Sequence, residues 1–257
     1  MPVLPLTEKS GRTRLYWTVP VSRAVPLDHG RLVADLNGAD LTVRQGRAGG
    51  AGGGTAQLTG TVQYSLVRPD FSVSGSTGID LHCRFLLGNC GLNAELSVPP
   101  GTALDLTSGG GNVQVSGIQS TVTLTTGGGD VSLSGSSRAA TVDSGGGNLS
   151  VSDLGGVLKF ITSGGDVDGS SLTSPKVTMD TGGGNVSLTF TSPPANLSVT
   201  SGGGDITIVV PRGTTEYAIK KSTAGGDYGD SVPTNRLAAN KITVDSGGGN
   251  VTITEPK

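Results

Sequence analysis

The chain has 257 residues, of which 44 are glycine, with only 15% charged and 4% aromatic residues. Glycine in a helix interior costs about 1 kcal/mol relative to alanine, which excludes a helix-rich enzyme, and the lack of a strict Gly-X-Y period excludes collagen. A formal net charge of −2 gives no basis for a nucleic-acid partner, while 34% hydrophobic residues in alternating runs exclude plain disorder.

Residues 1–30 combine prolines and charges without a signal-peptide core and read as an irregular leader or linker. No segment approaches the ~18 consecutive apolar residues of a transmembrane helix. Residues 31–257 read as a single β-solenoid domain. Its first part, 31–100, holds irregular N-terminal coils: a worn repeat (Asn37-Gly38-Ala39-Asp40-Leu41-Thr42-Val43), a Gly/Ala loop over 46–54, and a cysteine hairpin. Cys83 and Cys90 flank Arg84-Phe85-Leu86-Leu87-Gly88-Asn89, which carries a Gly-Asn turn signal, and no zinc-ligand or CxxC spacing accompanies them. A disulfide closing that loop is the preferred reading, with two reduced buried thiols as the alternative. If the disulfide forms, the protein folds in an oxidising compartment.

From residue 101 a repeat takes over: SGGGNVQV, TGGGDVSL, SGGGNLSV, SGGDVDG (read as one glycine short), TGGGNVSL, SGGGDITI, AGGDYGD (degenerate) and SGGGNVTI. The polar residue after the glycines falls at Asn112, Asp130, Asn148, Asp166, Asn185, Asp205, Asp227 and Asn250, at intervals of 18, 18, 18, 19, 20, 22 and 23. Each repeat predicts two strands. Val122 and Leu124 alternate with threonines before the Gly127-Gly128-Gly129 corner, and Val131 and Leu133 alternate with Asp130 and Ser132 after it. Four inward apolar side chains cannot offset the ordering of eighteen residues, so each repeat must share its bonds and core with neighbours. The expected fold is all-β: a right-handed parallel β-helix, or β-solenoid, with about 18–20 residues per repeat. Val98-Pro99-Pro100-Gly101-Thr102 and Val210-Pro211-Arg212-Gly213-Thr214 read as matching turns, and residues 214–240 as a C-terminal insertion that caps the stack.

The residue after the glycines alternates Asn and Asp through six repeats, and the residue before the turn is read as alternating in reverse in most repeats, with the Leu106-Thr107 repeat as the exception. Asp143, Asp180 and Asp245 precede Asn turns, whereas Thr125, Thr162 and Thr200 precede Asp turns. Equivalent positions in a solenoid lie about 4.8 Å apart, so the alternation spaces carboxylates every second coil and reads as charge management in a structural turn ladder. A calcium ladder is the sharper alternative, but the calcium β-roll phrase GGxGxDxUx differs from GGG[ND]UxU, and half of these positions are Asn. For glycoside hydrolysis the candidate carboxylates are Asp166 with Asp168, and Asp143 with Asp153. No His, aromatic platform or G-x-S-x-G elbow accompanies them, and His29 and His82 both precede the array. No catalytic residue, cofactor or metal ligand is assigned.

The SGGG[ND]V-x-[VL] repeats, the Val-Pro-x-Gly-Thr turns and the NGADLTV opening resemble a bacterial family of β-strand-repeat proteins called "putative adhesins", a domain of unknown function. The Cys83–Cys90 segment followed by Gly91-Leu92-Asn93-Ala94 is similar to the cysteine pair of its actinobacterial members, which sit outside the membrane behind an N-terminal anchor. The resemblance covers about residues 31–257 and implies a β-helix exposed at the cell surface, without catalytic residues. The expected function is therefore that of a non-enzymatic, extracytoplasmic adhesin or surface scaffold. It would meet surface glycans or proteins through many weak contacts, reach a membrane only through an anchor absent from this chain, and remain a monomer. The rival readings are an accessory or regulatory envelope protein with a membrane partner and, third, a carbohydrate-active β-helix enzyme.

Overall fold

The computed structural model describes residues 4–7, 13–36, 38–46, 54–64, 70–74, 78–82, 90–135 and 138–256, and every regular element among them is a strand. The N-terminal part holds β1 (Leu4–Thr7), β2 (Thr13–Pro26), β3 (Arg31–Asp35), β4 (Asp40–Gln45), β5 (Thr55–Tyr64), β6 (Asp70–Ser74), β7 (Gly78–His82) and β8 (Cys90–Val98). Three strand pairs follow: β9 (Ala103–Ser108) with β10 (Val113–Ser116), β11 (Thr121–Thr126) with β12 (Val131–Ser134), and β13 (Ala139–Ser144) with β14 (Leu149–Ser152). Three more continue the series: β15 (Val157–Thr162) with β16 (Val167–Leu172), β17 (Lys176–Thr181) with β18 (Val186–Phe190), and β19 (Asn196–Ser201) with β20 (Ile206–Val209). The chain closes with β21 (Tyr217–Thr223), β22 (Tyr228–Asp230), β23 (Asn240–Ser246) and β24 (Val251–Thr254).

Two sheets result. A 13-stranded sheet runs β1-β2-β5-β8-β4-β10-β12-β14-β16-β18-β20-β24-β22, and an 11-stranded sheet runs β21-β23-β19-β17-β15-β13-β11-β9-β3-β7-β6. Each turn gives one strand to each sheet, and regular turns pair in parallel with their neighbours: Val122 lies opposite Leu104 and Ala140, and Val131 opposite Val113 and Leu149. This is a β-solenoid of about seven regular turns. Two apolar residues from each strand point inward, as Val122, Leu124, Val131 and Leu133 do, and all four are buried. One turn departs from the pattern. Gly169 takes the inward place opposite Val151 and Leu188, where a Cβ would lie 2.7 Å from Leu188 Cδ2. Leu188, Leu172 and Val151 close over the glycine and occupy the space a side chain would take.

The ends do not follow chain order. At the N-terminal end the turn of β3 and β4 lies between β9–β10 on one side and β7–β8 on the other. Residues 13–26, expected as part of an irregular leader, instead form the long strand β2, antiparallel to β5 over ten residues, and β5 is antiparallel to β8. The β-branched and aromatic residues Tyr16, Trp17, Thr18, Val19 and Val21 favour the strand, and among the described residues β1 pairs only with residues 13–16 of β2, so Pro20 has no strand partner on that side. At the C-terminal end residues 214–240 do cap the stack, but as a further turn (β21, β22) and not as a mere insertion. The phrase SGGDVDG has one glycine fewer but is not a residue short: Thr162 pairs with Ser144, so Ser163 replaces the first glycine, and Ala224 does the same in the degenerate AGGDYGD.

On four turns the chain bends through a left-handed residue at or just past the end of the second strand, at Gly117 (φ 70°), Gly135 (φ 65°), Asp153 (φ 56°) and Ser171 (φ 53°), the last within β16. The left-handed region costs an L-residue roughly 1–2 kcal/mol, partly offset by glycine's greater chain entropy. Ser171→Gly is accordingly expected to stabilise the protein by about 0.5–1 kcal/mol, read as a higher urea midpoint at unchanged slope. A lower midpoint would mean that the Ser171 side chain holds the bend.

Candidate interaction surface

The corner between the two strands is built from the repeat phrase. Its Ser or Thr is buried and donates its hydroxyl to the middle glycine's carbonyl: Thr126 to Gly128, Ser144 to Gly146, Thr162 to Gly164, Thr181 to Gly183, Ser201 to Gly203 and Ser246 to Gly248. The third glycine adopts φ of 77–83° in seven turns, Gly129, Gly147, Gly165, Gly184, Gly204, Gly226 and Gly249.

The exposed residue after it forms a continuous ladder. The backbone N–H of each rung donates to Oδ1 of the rung on the preceding turn. Asn112 donates to Asp40 at 2.8 Å, Asp130 to Asn112 at 2.9 Å, Asn148 to Asp130 at 2.8 Å and Asp166 to Asn148 at 3.0 Å. Asn185 donates to Asp166 at 2.7 Å and Asp205 to Asn185 at 3.0 Å. Asn250 then donates to Asp205 at 2.7 Å, and Asp227 to Asn250 at 2.9 Å. In chain order the alternation fails at Asp227 and Asn250; in space it is unbroken from Asp40 to Asp227. Asp40, at the worn first repeat, is a rung the sequence pattern left out, although Gly38-Ala39-Asp40-Leu41 carries a trace of the phrase.

The column before the corner differs from the expected one at a single place. In register it reads Thr125, Asp143, Ile161, Asp180, Thr200, Asp245, Ser222. Ile161, not Thr162, fills the place, because Ser163 counts as a corner residue. From Thr125 onward the carboxylates in this column fall on turns whose ladder rung is Asn, giving a checkerboard of charge; it ends at Thr107 and Asp35, the next two places in register, since Asp35 shares its turn with the rung Asp40.

Outside the corner the two sheets present different faces. On the 13-stranded sheet Thr42, Gln114, Ser132, Ser150, Asp168, Ser187, Thr207 and Thr252 stand in one in-register outward row, seven of the eight uncharged. On the 11-stranded sheet the outward positions include Lys159, Lys176, Lys220 and Lys241. The hydroxyl row runs into an open groove of about 940 Å³ where β5 turns away from the parallel stack, lined among others by Thr59, Thr61, Arg44, Glu95, Gln114 and Asp130. Gly60 permits the close pairing of β5 with β8, since a Cβ there would sit 2.5 Å from the Asn93 carbonyl oxygen. Arg44 and Glu95 pair at 3.6 Å, both more than half exposed, so the pair orients side chains more than it stabilises the fold.

The acids considered for glycoside hydrolysis belong to separate features. Asp166 is a ladder rung, Asp168 projects from the hydroxyl row, Asp143 stands in the column before the corner, and Asp153 occupies a left-handed bend. His29 sits on an exposed turn with Nδ1 2.6 Å from Asp28 Oδ1, and of His82 only the backbone is described. Among the described residues no three His, Cys, Asp or Glu side chains gather as a metal site. Cys83 lies outside the described residues and only the backbone of Cys90 is described, so no disulfide between them is seen.

Among solved structures, a "putative cell adhesion protein" from Clostridium sporogenes ATCC 15579 is 10% identical, with 93% of this chain and 100% of that chain covered at a TM-score of 0.25. A "putative adhesin" from Parabacteroides merdae ATCC 43184 is 9% identical, with 93% and 96% covered at a TM-score of 0.24. Likenesses of that degree carry no functional weight. No curated protein matches the chain. The model of the Toastrack DUF4097 family, a domain of unknown function, matches residues 93–254, from the last N-terminal coil through the final strand. With well over half of its length matched, the chain belongs to the Toastrack DUF4097 family.

Proposed function

We propose that the protein is a non-enzymatic surface scaffold of the adhesin kind, held outside the cytoplasm, whose 13-stranded face meets extended glycans or proteins through many weak contacts. The outward row from Thr42 to Thr252 carries this reading. Each hydroxyl can donate and accept, and six of the eight turns in the row offer that contact at multiples of about 4.8 Å along the axis, with Gln114 and Asp168 at the other two. A single contact is weak; a polymer that meets several gains through effective concentration. Monomers fit this role. Lys221 occupies an inward-facing register position on the terminal turn, with Nζ 3.4 Å from the Tyr228 ring centroid, and so guards the end against stacking by another sheet.

Binding of the full chain to immobilised extracellular polysaccharides and matrix proteins tests the reading, with each ligand offered as short oligomers and as polymer. Affinity is expected to rise at least about 100-fold from oligomer to polymer, and the triple variant Ser132→Ala, Ser150→Ala, Ser187→Ala, which removes three hydroxyls without adding charge beside Asp168, is expected to abolish that gain at a nearly unchanged melting temperature. Equal affinity for short and long ligands, or an unaffected triple variant, overturns it. Surface protease shaving of intact cells tests the location, and a protected chain would place the protein inside.

A further inference from the structure

The turn that comes last in sequence is not last in space. β23 lies between β19 and β21, and β24 between β20 and β22, so residues 240–254 form a wedge in a slot walled by residues 196–209 and 217–230. The wedge bonds to both walls beyond the strand ladders. Lys241 N–H donates to the Ala195 carbonyl at 3.0 Å and Gly247 N–H to Ser201 at 2.8 Å, while Ala224 N–H donates to Ser246 at 2.9 Å and Ser231 N–H to Ile253 at 3.0 Å.

The walls carry Asp205 and Asp227, and the wedge carries Asn250. Asn250 N–H donates to Asp205 Oδ1 and its own Oδ1 accepts from Asp227 N–H, which keeps the two carboxylates two turns apart. If the walls closed on each other, carboxylate would follow carboxylate at about 4.8 Å. The slot therefore selects a coil with an uncharged amide at its corner. The wedge is tied to its wall by residues 231–239, which cross the end of the stack. Val232 is buried, Tyr217 N–H donates to the Pro233 carbonyl, and Asn235 N–H donates to the Tyr217 carbonyl. Asn235 Nδ2 also donates to Glu216 Oε2 at 2.8 Å, and Leu237 N–H to Asn235 Oδ1 at 3.0 Å, while the Leu237 residue itself is 92% exposed.

We infer that this slot is a coil-accepting interface whose second partner is the same C-terminal coil of another copy of the chain. Exchange of residues 240–254 between two copies preserves every strand bond and both ladder bonds. It costs only the opening of the strap, so a reciprocal dimer forms as concentration rises. The monomer remains the dilute state.

Two full-length samples of different isotopic mass, mixed at high concentration and held a few degrees below the melting temperature, test the exchange by native mass spectrometry. Mixed-mass dimers are expected at high concentration, reverting to monomers when the diluted sample is held at the same temperature; their absence at high concentration overturns the inference. To locate the exchange, the folded full-length chain is nicked in the strap between Arg236 and Leu237 and incubated with a fluorescent peptide of residues 240–257. Uptake of the peptide is expected, together with uptake about tenfold poorer for the Asn250→Asp peptide, which corresponds to about 1.4 kcal/mol. Equal uptake of the two peptides overturns the selectivity, and no uptake by a nicked chain that remains folded overturns the slot. Should the nick itself unfold the chain, the mixing of intact copies decides.

Discussion

Gly184→Ala is expected to destabilise the protein by about 2–5 kcal/mol, whereas Gly183→Ala, one residue earlier, is expected to be neutral or to stabilise by about 0.4–1 kcal/mol. The contrast comes from stacking geometry. Gly184 has φ +78°, and a Cβ on it would lie 2.1 Å from the Gly165 carbonyl oxygen and 2.6 Å from the carbonyl carbon. Those are backbone atoms of the adjacent turn, locked on both sides by strand ladders, so no rotamer change relieves the contact. Gly183 has no positive φ and nothing within 4 Å of a Cβ, and alanine there narrows the unfolded ensemble without meeting anything in the fold. The first glycine falls between these cases. A Cβ on Gly182 would sit 2.7 Å from the Ser163 carbonyl oxygen, yet Ser163 and Ala224 show that the corner accepts a side chain at this place on two turns. Urea denaturation of the three alanine variants should rank them Gly184, Gly182, Gly183 from most to least destabilised. Equal losses at Gly183 and Gly184 would remove the close approach of turns as the reason for the triplet.

The repeat was legible in the sequence because everything it needs is local. A corner that admits no Cβ, a buried hydroxyl before it and two inward residues on each side recur within a span of 18 residues, and that span is one turn. Long-range relations were not legible. The order Asp205, Asp227, Asn250 looks like a broken alternation along the chain, and only the wedging of β23 and β24 between β19–β20 and β21–β22 restores it. Residues 13–26 find their partner in β5, some forty residues away, and no spacing rule points there. The groove follows from that same pairing. The miscount at Thr162 has a simpler cause: counting glycines, not residues, shifted the register by one, exchanging a buried corner threonine for the Ile161 that precedes it.

Asn185→Asp isolates the charge on the ladder from its hydrogen bonds. The new carboxylate keeps an Oδ1 to accept the Asp205 N–H, now 3.0 Å away, and its own backbone N–H still reaches Asp166 Oδ1. What changes is that Asp166, residue 185 and Asp205 become three successive carboxylates. At about 4.8 Å and water-like screening each new neighbour repels by about 0.9 kcal/mol, so a loss of about 1–2 kcal/mol is expected at neutral pH and low salt. Like-charge neighbours lift the folded-state pKa of the new carboxyl above its unfolded value of about 3.9. The penalty therefore appears as pH rises through that lifted value, is complete above it, and vanishes below the unfolded value. Raising the salt to about 1 M, where the screening length is about 3 Å, should erase most of it at neutral pH as well. The converse change, Asp166→Asn, removes a charge while keeping the acceptor for the Asn185 N–H and is expected to lie within about 0.5 kcal/mol of the parent. Thermal melts of both variants across pH 3–8 at low and high salt would check the pair. An Asn185→Asp loss that ignored salt and pH would mean that the amide nitrogen, and not the spacing of charge, is what the alternation preserves.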